Sequence, residues 1–499
     1  MSELPRAVDT LILGGGTTGA VIAGRLAERS DETILVVEAG PDHGAFDGGR
    51  WPDDLLDART LAISHAWGYD SGSSYADRVV AFDRARVIGG CSSHNGCAAI
   101  WGWRGDYDAW AAAGNDGWST NDLLPFFSLA NERMRVRQPA MAEATPFQAL
   151  TIEAAEAAGI PHVDNLNDVD EPVGMGLSPV NISEGVRWNS ALAYLDPVRH
   201  KGTVTVAGNT IADRLLIQHG RVVGARLIGP DGPVEVDAGR TIVSAGTYGS
   251  PAILLRSGIG DPESLRAIGV SLVHVLPGVG RNLHDHPMTV TTFAGTPELV
   301  ALTEEAAMRQ WTPEEQTIAK ARSTYCDDGF DLHFLPVVIK NGDPPFGWYF
   351  SIPIACMTPK SRGRLTLAST DPETAPLIDH NYLGDPAGHD RAVLIDGIRL
   401  MREIVAQEPL RSMIGAEINP GTISPESFVD TQVVHYYHPA GTCKMGPSRD
   451  PDAVVSATGA IHGLTGGYVA DCSIMPVVPR ANTNIPAIVV GERIAALLP

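Results

Sequence analysis

The apolar positions open the chain with a continuous run, a glycine turn and a helical period. "VDTLILGGGTTGAVIAGRLAE" predicts a buried strand, a turn and a helix, and "TILVVEAG" predicts a second buried strand. Residues 106–165 carry a helical period, clearest in "DLLPFFSLANERM". The stretch "TVTVAGNTIADRLLIQHGRVVGARLIG" alternates apolar and polar positions between glycines, which predicts antiparallel strands. A further strand, turn and helix follow in "RTIVSAGTYGSPAILLRSGIG". Residues 298–345 are polar and proline-rich with a weak pattern. Alternation returns over residues 347–369 in "WYFSIPIAC" and "GRLTLAS", as expected of a sheet covering a pocket. "YVADCSIMP" and "NIPAIVVGERIAALL" end the chain as strand and helix, and no internal repeat or low-complexity tract is present.

Composition narrows the class. With 499 residues, 44% of them hydrophobic, the chain can build two or three domains around a large core. A formal net charge of −22 argues against nucleic acid and anionic membrane surfaces as partners and fits a self-repelling cytoplasmic enzyme. No stretch approaches the length of uninterrupted apolar residues that a membrane span needs, and no signal core precedes the first strand. The cysteines Cys91, Cys97, Cys326, Cys356, Cys443 and Cys472 are scattered without a CxxC pair, so they read as reduced thiols.

Gly14, Gly16 and Gly19 form G-x-G-x-x-G between the first strand and the first helix. The first glycine permits the tight turn, the second lets the backbone approach a pyrophosphate, and the third lets helix and strand pack closely. Glu38 ends the next strand, where a carboxylate can accept from a ribose hydroxyl and would repel a 2′-phosphate. The pattern predicts a dinucleotide, FAD or NAD rather than NADP.

Several ordered motifs then resemble the glucose–methanol–choline (GMC) family of FAD-dependent oxidoreductases over essentially the whole chain. "RVIGGCSSHNGCAAIWGWRGDYDAW" resembles that family's first signature, and "GTYGSPAILLRSGIG" its second. "GVGRNLHDHP", "SALAYL" and "GWSTNDLLPFF" are family-like, as are "YYHPAGTCKMG" and "VADCSIMPVVPRANTNIPAIVVGER" near the end. The resemblance implies an α/β fold: a Rossmann-like FAD-binding domain of the GMC and glutathione-reductase type, with an α+β substrate-binding cap domain on an antiparallel sheet. The boundaries expected are residues 5–297 for the FAD domain, completed in space by 425–499, and 298–424 for the cap.

FAD is the cofactor the resemblance implies. Gly14, Gly16, Thr17, Thr18 and Gly19 belong to its first turn, with Glu38 and Ala39 beyond the second strand. Arg86, Gly89, Gly90 and Ser92 come from the signature turn, as do Asn95, Gly96 and Cys97 beside the flavin ring. Ala245 and Gly246 are expected near the phosphoribose, and Ile211, Asp471, Cys472, Asn484 and Ile485 are further expected FAD contacts. The helix after Asn484 is expected to direct its positive end at the flavin pyrimidine.

Oxidising an alcohol requires that the hydroxyl proton leave, that the carbon sit against the flavin, and that water be kept out. By resemblance His438 is the residue that takes the proton, and Asn482 aligns with the second active-site position, where an amide orients the substrate oxygen. His435 with His438, and His284 with His286, have spacings that metals also use, but no third ligand presents itself and no metal is expected. His94 is unusual for the family. Its turn resembles the choline-oxidase branch, which implies a covalent bond between this imidazole and the flavin. That branch places a glutamate after "DHP", whereas Met288 stands here. The expected substrate is therefore a neutral or apolar primary alcohol rather than a quaternary amine. Tyr436 and Tyr437 supply aromatic wall, and His333 is a candidate for the same pocket or for core packing.

The leading expectation is an FAD-dependent alcohol oxidase using molecular oxygen. A dehydrogenase of the same fold with a quinone or other acceptor, and a non-redox hydroxynitrile lyase, are the alternatives. A homodimer is one assembly open to the chain.

Overall fold

The computed structural model describes residues 4–72, 78–309, 311–340 and 347–499. Its first sheet has seven strands, ordered Val204–Ala207, Ile34–Val37, Ala7–Leu13, Gly232–Val243, Arg221–Gly229, Ile211–Gln218, with Gly467–Val469 also on Gly232–Val243. The middle of the parallel half is buried on both faces, as its near-continuous Ile, Leu and Val content requires: Ile34–Val37 is buried at every position and Ala7–Leu13 over its last four, while the edge strand Val204–Ala207 exposes Thr205. Val204–Ala207, expected to be antiparallel, is parallel to Ile34–Val37 in the register Val36↔Val206. The chain reaches that edge by a crossover rather than a hairpin. The antiparallel pairs lie only between Ile211 and Val243.

Helices Thr17–Arg29 and Asn484–Leu497 pack together over this sheet. Ile485, Ile488, Val489, Val490 and Ile494 of the second are all buried. A helix apolar on nearly every side has to lie inside a core, and this one also packs on helix Thr120–Arg133.

The second sheet has eight strands and is antiparallel. Its order is Ile414–Asn419, Pro287–Gly295, Trp348–Cys356, Leu332–Phe334, Thr317–Ala321, Gly174–Leu177, with Val337–Lys340 beside Trp348–Cys356 and Val434–His435 beside Pro287–Gly295. It takes strands from both sides of residue 297. Helix His389–Val405 covers its strand Trp348–Cys356. The polar stretch read as weakly patterned contains helix Pro297–Arg309 and three of these strands; residues 310 and 341–345 of it lie outside the described residues. The pattern was faint because Thr317–Ala321 is buried throughout, Lys320 included. The Lys320 ammonium is reconciled with that burial by donating to the Leu166 carbonyl at 2.6 Å.

The first turn shows why its third glycine is needed. A β-carbon on Gly19 would overlap the Gly14 carbonyl oxygen, and the turn has no room to retreat because a β-carbon on Gly14 would run into Ser244. Gly19→Val is expected to cost about 3 kcal/mol or more through overpacking against backbone. Its check is a lowered thermal midpoint together with loss of bound cofactor on purification.

Candidate active site

Between the two sheets lies one elongated cavity of about 670 Å³. At the glycine end it is lined by Gly14, Gly16, Thr17, Thr18, Glu38 and Ala39, with Ala245, Gly246 and Asp471 against that turn and Ile211 beside Glu38. Arg86, Gly90, His94, Asn95, Gly96, Cys97, Cys472 and Asn484 also line it, and the far end has Met288, Tyr436, Tyr437, His438 and Asn482. Residues separated by more than four hundred positions in the chain thus share one space.

The glycine end is a backbone cradle. A β-carbon on Gly90 would come within 2.7 Å of Gly16 Cα, so the two turns touch backbone to backbone. Thr17 clamps them: its hydroxyl donates to the Gly89 carbonyl at 3.3 Å and accepts from the Ser92 amide at 3.2 Å. The Glu38 carboxylate accepts from the Gly15 and Gly40 amides at 3.1 and 2.8 Å, and burial pushes its pKa up to about 7. The Asp471 carboxylate is taken up by the Gly246 and Ser473 amides and the Ser250 hydroxyl, so its side chain is engaged by the protein itself.

Some expected contacts stand behind the wall instead of on it. Gly19 packs on Gly14, and Gly89 sits against Ser93 and Asn189 in a left-handed conformation, φ 81°. The Ser92 hydroxyl donates to the Gly89 carbonyl at 2.6 Å, and Ile485 is fully buried. His333 does not line the cavity. It stacks on Phe330 at 5.4 Å and 8° with no exposed surface, and its neighbour across the strand pair is Lys320. An imidazole on a strand buried on both faces has no route to solvent.

At the far end the chemistry is concentrated around His438. Its Nδ1 lies 3.1 Å from His286 Nδ1, so one proton is shared between the two rings. Desolvation, then His286 and His333, hold the His438 pKa well below its usual value, and burial drops His286 to about 3. Asp285 ties the two segments together by accepting from the His286 and His438 amides at 2.7 and 3.0 Å. Tyr436 packs on His438 with ring centroids 4.4 Å apart. Tyr437 turns the other way, in a left-handed conformation, with its carbonyl held by Arg84 at 3.0 Å. His284 is a structural link: its Nδ1–H donates to Asn282 and its Nε2 accepts from the Val478 amide at 2.9 Å. His435 packs edge-on to Phe82.

Sequence reasoning missed several wall residues. Arg59–Ile63, Arg84, Glu314, Glu315, Leu335, Val337, Ser351 and Pro353 all face the cavity. None belongs to a motif; only the tertiary fold brings them there.

The residues fit a flavin dinucleotide. The cradle lacks the side chains that would fill it, the helix starting at Thr17 points its free amides into it, and buried polar atoms of lining residues lack partners among the described residues, His94 Nε2, Asn482 Oδ1 and Asn484 Nδ2 among them. A dinucleotide-dependent oxidoreductase is the class of protein that this fold and cavity define.

Comparison with known proteins gives the family. GMC oxidoreductase patterns match residues 8–288 and 359–491, and the chain belongs to that family. It is 33% identical to an oxygen-dependent choline dehydrogenase of Paraburkholderia xenovorans over 98% of this chain and 93% of that protein. The solved structure of pyridoxine 4-oxidase from Mesorbium loti matches with TM-score 0.86 at 27% identity, covering 98% of both chains. A formate oxidase shares the fold with TM-score 0.85 at 22% identity, over 99% of this chain and 98% of that one. The protein is an FAD-dependent oxidoreductase with the α/β fold its motifs implied. No described helix is long and apolar enough to cross a membrane.

Asp285→Ala would strip the acceptor from two buried amides, each costing about 1–3 kcal/mol when left unmade. The expected result is a lower melting midpoint and slower anaerobic flavin reduction, with Asp285→Asn milder on both because one acceptor oxygen remains.

Proposed function

We propose that this enzyme oxidises a primary alcohol to the aldehyde, or onward to the acid, with His438 as base and molecular oxygen as electron acceptor. The observation that carries the reading is a neutral imidazole at the cavity's far end, its Nδ1 engaged by His286 and its Nε2 left for a ligand. FAD supplies the hydride acceptor when bound. His438 takes the hydroxyl proton at Nε2 while its Nδ1–H donates to His286 Nδ1, which stabilises the imidazolium that forms. The Asn482 amide orients the substrate oxygen, and the apolar walls Met288, Val290, Leu335 and Val337 exclude water.

The relatives carry names of both oxidases and a dehydrogenase. Oxygen is preferred here, and a quinone or other carrier is the second acceptor. A cytoplasmic enzyme, alone or as a homodimer, fits the acidic surface charge. The lyase reading lacks comparable support.

The same reading extends to a covalent link between His94 and FAD. His94 lines the cavity, is 8% exposed, and has a buried Nε2 without a partner among the described residues. Burial drops its pKa to about 4, which keeps the ring neutral and nucleophilic.

Acid precipitation of the purified enzyme is expected to leave the yellow colour in the pellet, and His94→Ala to release it to the supernatant. A colourless wild-type pellet overturns the link. His438→Ala is expected to slow anaerobic bleaching by an alcohol panel about 10²–10⁴-fold while FAD stays bound. An unchanged rate removes His438 from the mechanism. Oxygen uptake measured against reduction of a quinone analogue decides the acceptor.

A further inference from the structure

Glu315 lies in the cap segment just before strand Thr317–Ala321, bridged to Val337, and lines the cavity. Its carboxylate fills the space beside the signature turn: a β-carbon on Gly96 would overlap Glu315 Oε1. Among the described residues no side-chain hydrogen bond or ion pair engages it. Glu314, half-buried, lines the same cavity and adds a second acid. Arg187 acts on Glu315 through its charge, but no hydrogen bond or ion pair joins them; its Nε and Nη2 donate to the carbonyls of Leu55, Asp57 and Thr60 at 3.1, 2.6 and 2.7 Å, and its buried Nη1 has no partner among the described residues. Burial, reinforced by Glu314, raises the Glu315 pKa to about 7. The Glu315 carboxylate, half-buried like Glu314 and facing the cavity without a hydrogen-bonding side chain, is left to a ligand cation to neutralise.

We propose that Glu315 sets substrate specificity by pairing with a protonated amine carried on the alcohol. The inference rests on alcohol oxidation at this cavity and names which alcohols enter it. Met288 removes the anion from the wall where the sequence looked for one; Glu315 returns it on a different wall. Tyr436 packs on His438 with ring centroids 4.4 Å apart, and both line the same cavity as Glu315. Met288, Leu335 and Val337 supply apolar wall for the part of the substrate between its hydroxyl and its ammonium. An ammonium suits the site better than a metal ion, since among the described residues Glu314 and Glu315 belong to no cluster of three acidic, histidine or cysteine ligand atoms within 4.8 Å of one another.

The test uses the FAD-loaded enzyme and a matched pair of substrates, 3-(aminomethyl)benzyl alcohol and its neutral analogue 3-ethylbenzyl alcohol. Wild type is expected to favour the amine by about 10-fold or more in kcat/KM. Glu315→Gln should erase that preference and leave the neutral alcohol within about 2-fold of wild type, with Glu315→Asp recovering part of it. Calorimetry with 3-methylbenzylamine, which carries no hydroxyl, reads cation recognition without turnover; its Kd should rise about 10-fold or more in Glu315→Gln. No preference for the amine in wild type overturns the proposal without recourse to any variant. Equal losses on both alcohols, or an unchanged amine Kd in Glu315→Gln, overturn it as well. Should neither alcohol reduce the flavin while amine binding still depends on Glu315, the alcohol-oxidation reading falls and cation recognition stands.

Discussion

The contact between Gly16 and Gly90 is the constraint from which the rest of the site follows. Two turns from different parts of the chain meet backbone to backbone, where a β-carbon on Gly90 would lie 2.7 Å from its neighbour's Cα. Thr17 locks them by hydrogen bonds to both Gly89 and Ser92. A cradle of free amides at a helix N-terminus suits an anionic pyrophosphate. Once that end is placed, the residues following Gly90 run along the cavity, and His94, Asn95 and Gly96 become part of its wall.

Burial then sets the protonation of the site. His94, His286 and His438 all lie in environments that disfavour the imidazolium, so each is neutral in the physiological range. The same desolvation pushes carboxyl groups the other way, Asp285 and Glu315 both to about 7. Their remaining needs differ. Asp285 is met by two amides and serves as a tie between loops, while the Glu315 carboxylate, packed beside Gly96, has no hydrogen bond or ion pair among the described residues and faces the cavity. The low dielectric that keeps His438 neutral also makes an unpaired acid a strong attractor for a cation.

How much of this could be read beforehand varies by residue. The glycine turn, Glu38 and the terminal helix were legible because backbone geometry demands particular residues at particular spacings. His438 and Asn482 were legible through resemblance. The parallel pairing of Val204–Ala207 was not, because a short alternating run looks the same in either direction. Strands Thr317–Ala321 and Leu332–Phe334 were hidden because burial on both faces abolishes alternation, and Lys320 in their midst suggested a surface.

The sequence by itself determined the nucleotide-binding half, its cofactor and the position of a histidine within the flavin turn. These depend on local requirements: a turn that only glycine can make, a helix start, a side chain three residues along. Tertiary structure decided the substrate end. Whether His333 reaches the cavity, whether Asp285 is a tie or a charge, and where the pocket's acid stands depend on which faces the second sheet buries. Glu315 becomes conspicuous only when that sheet folds it against Gly96, 219 positions earlier in the chain.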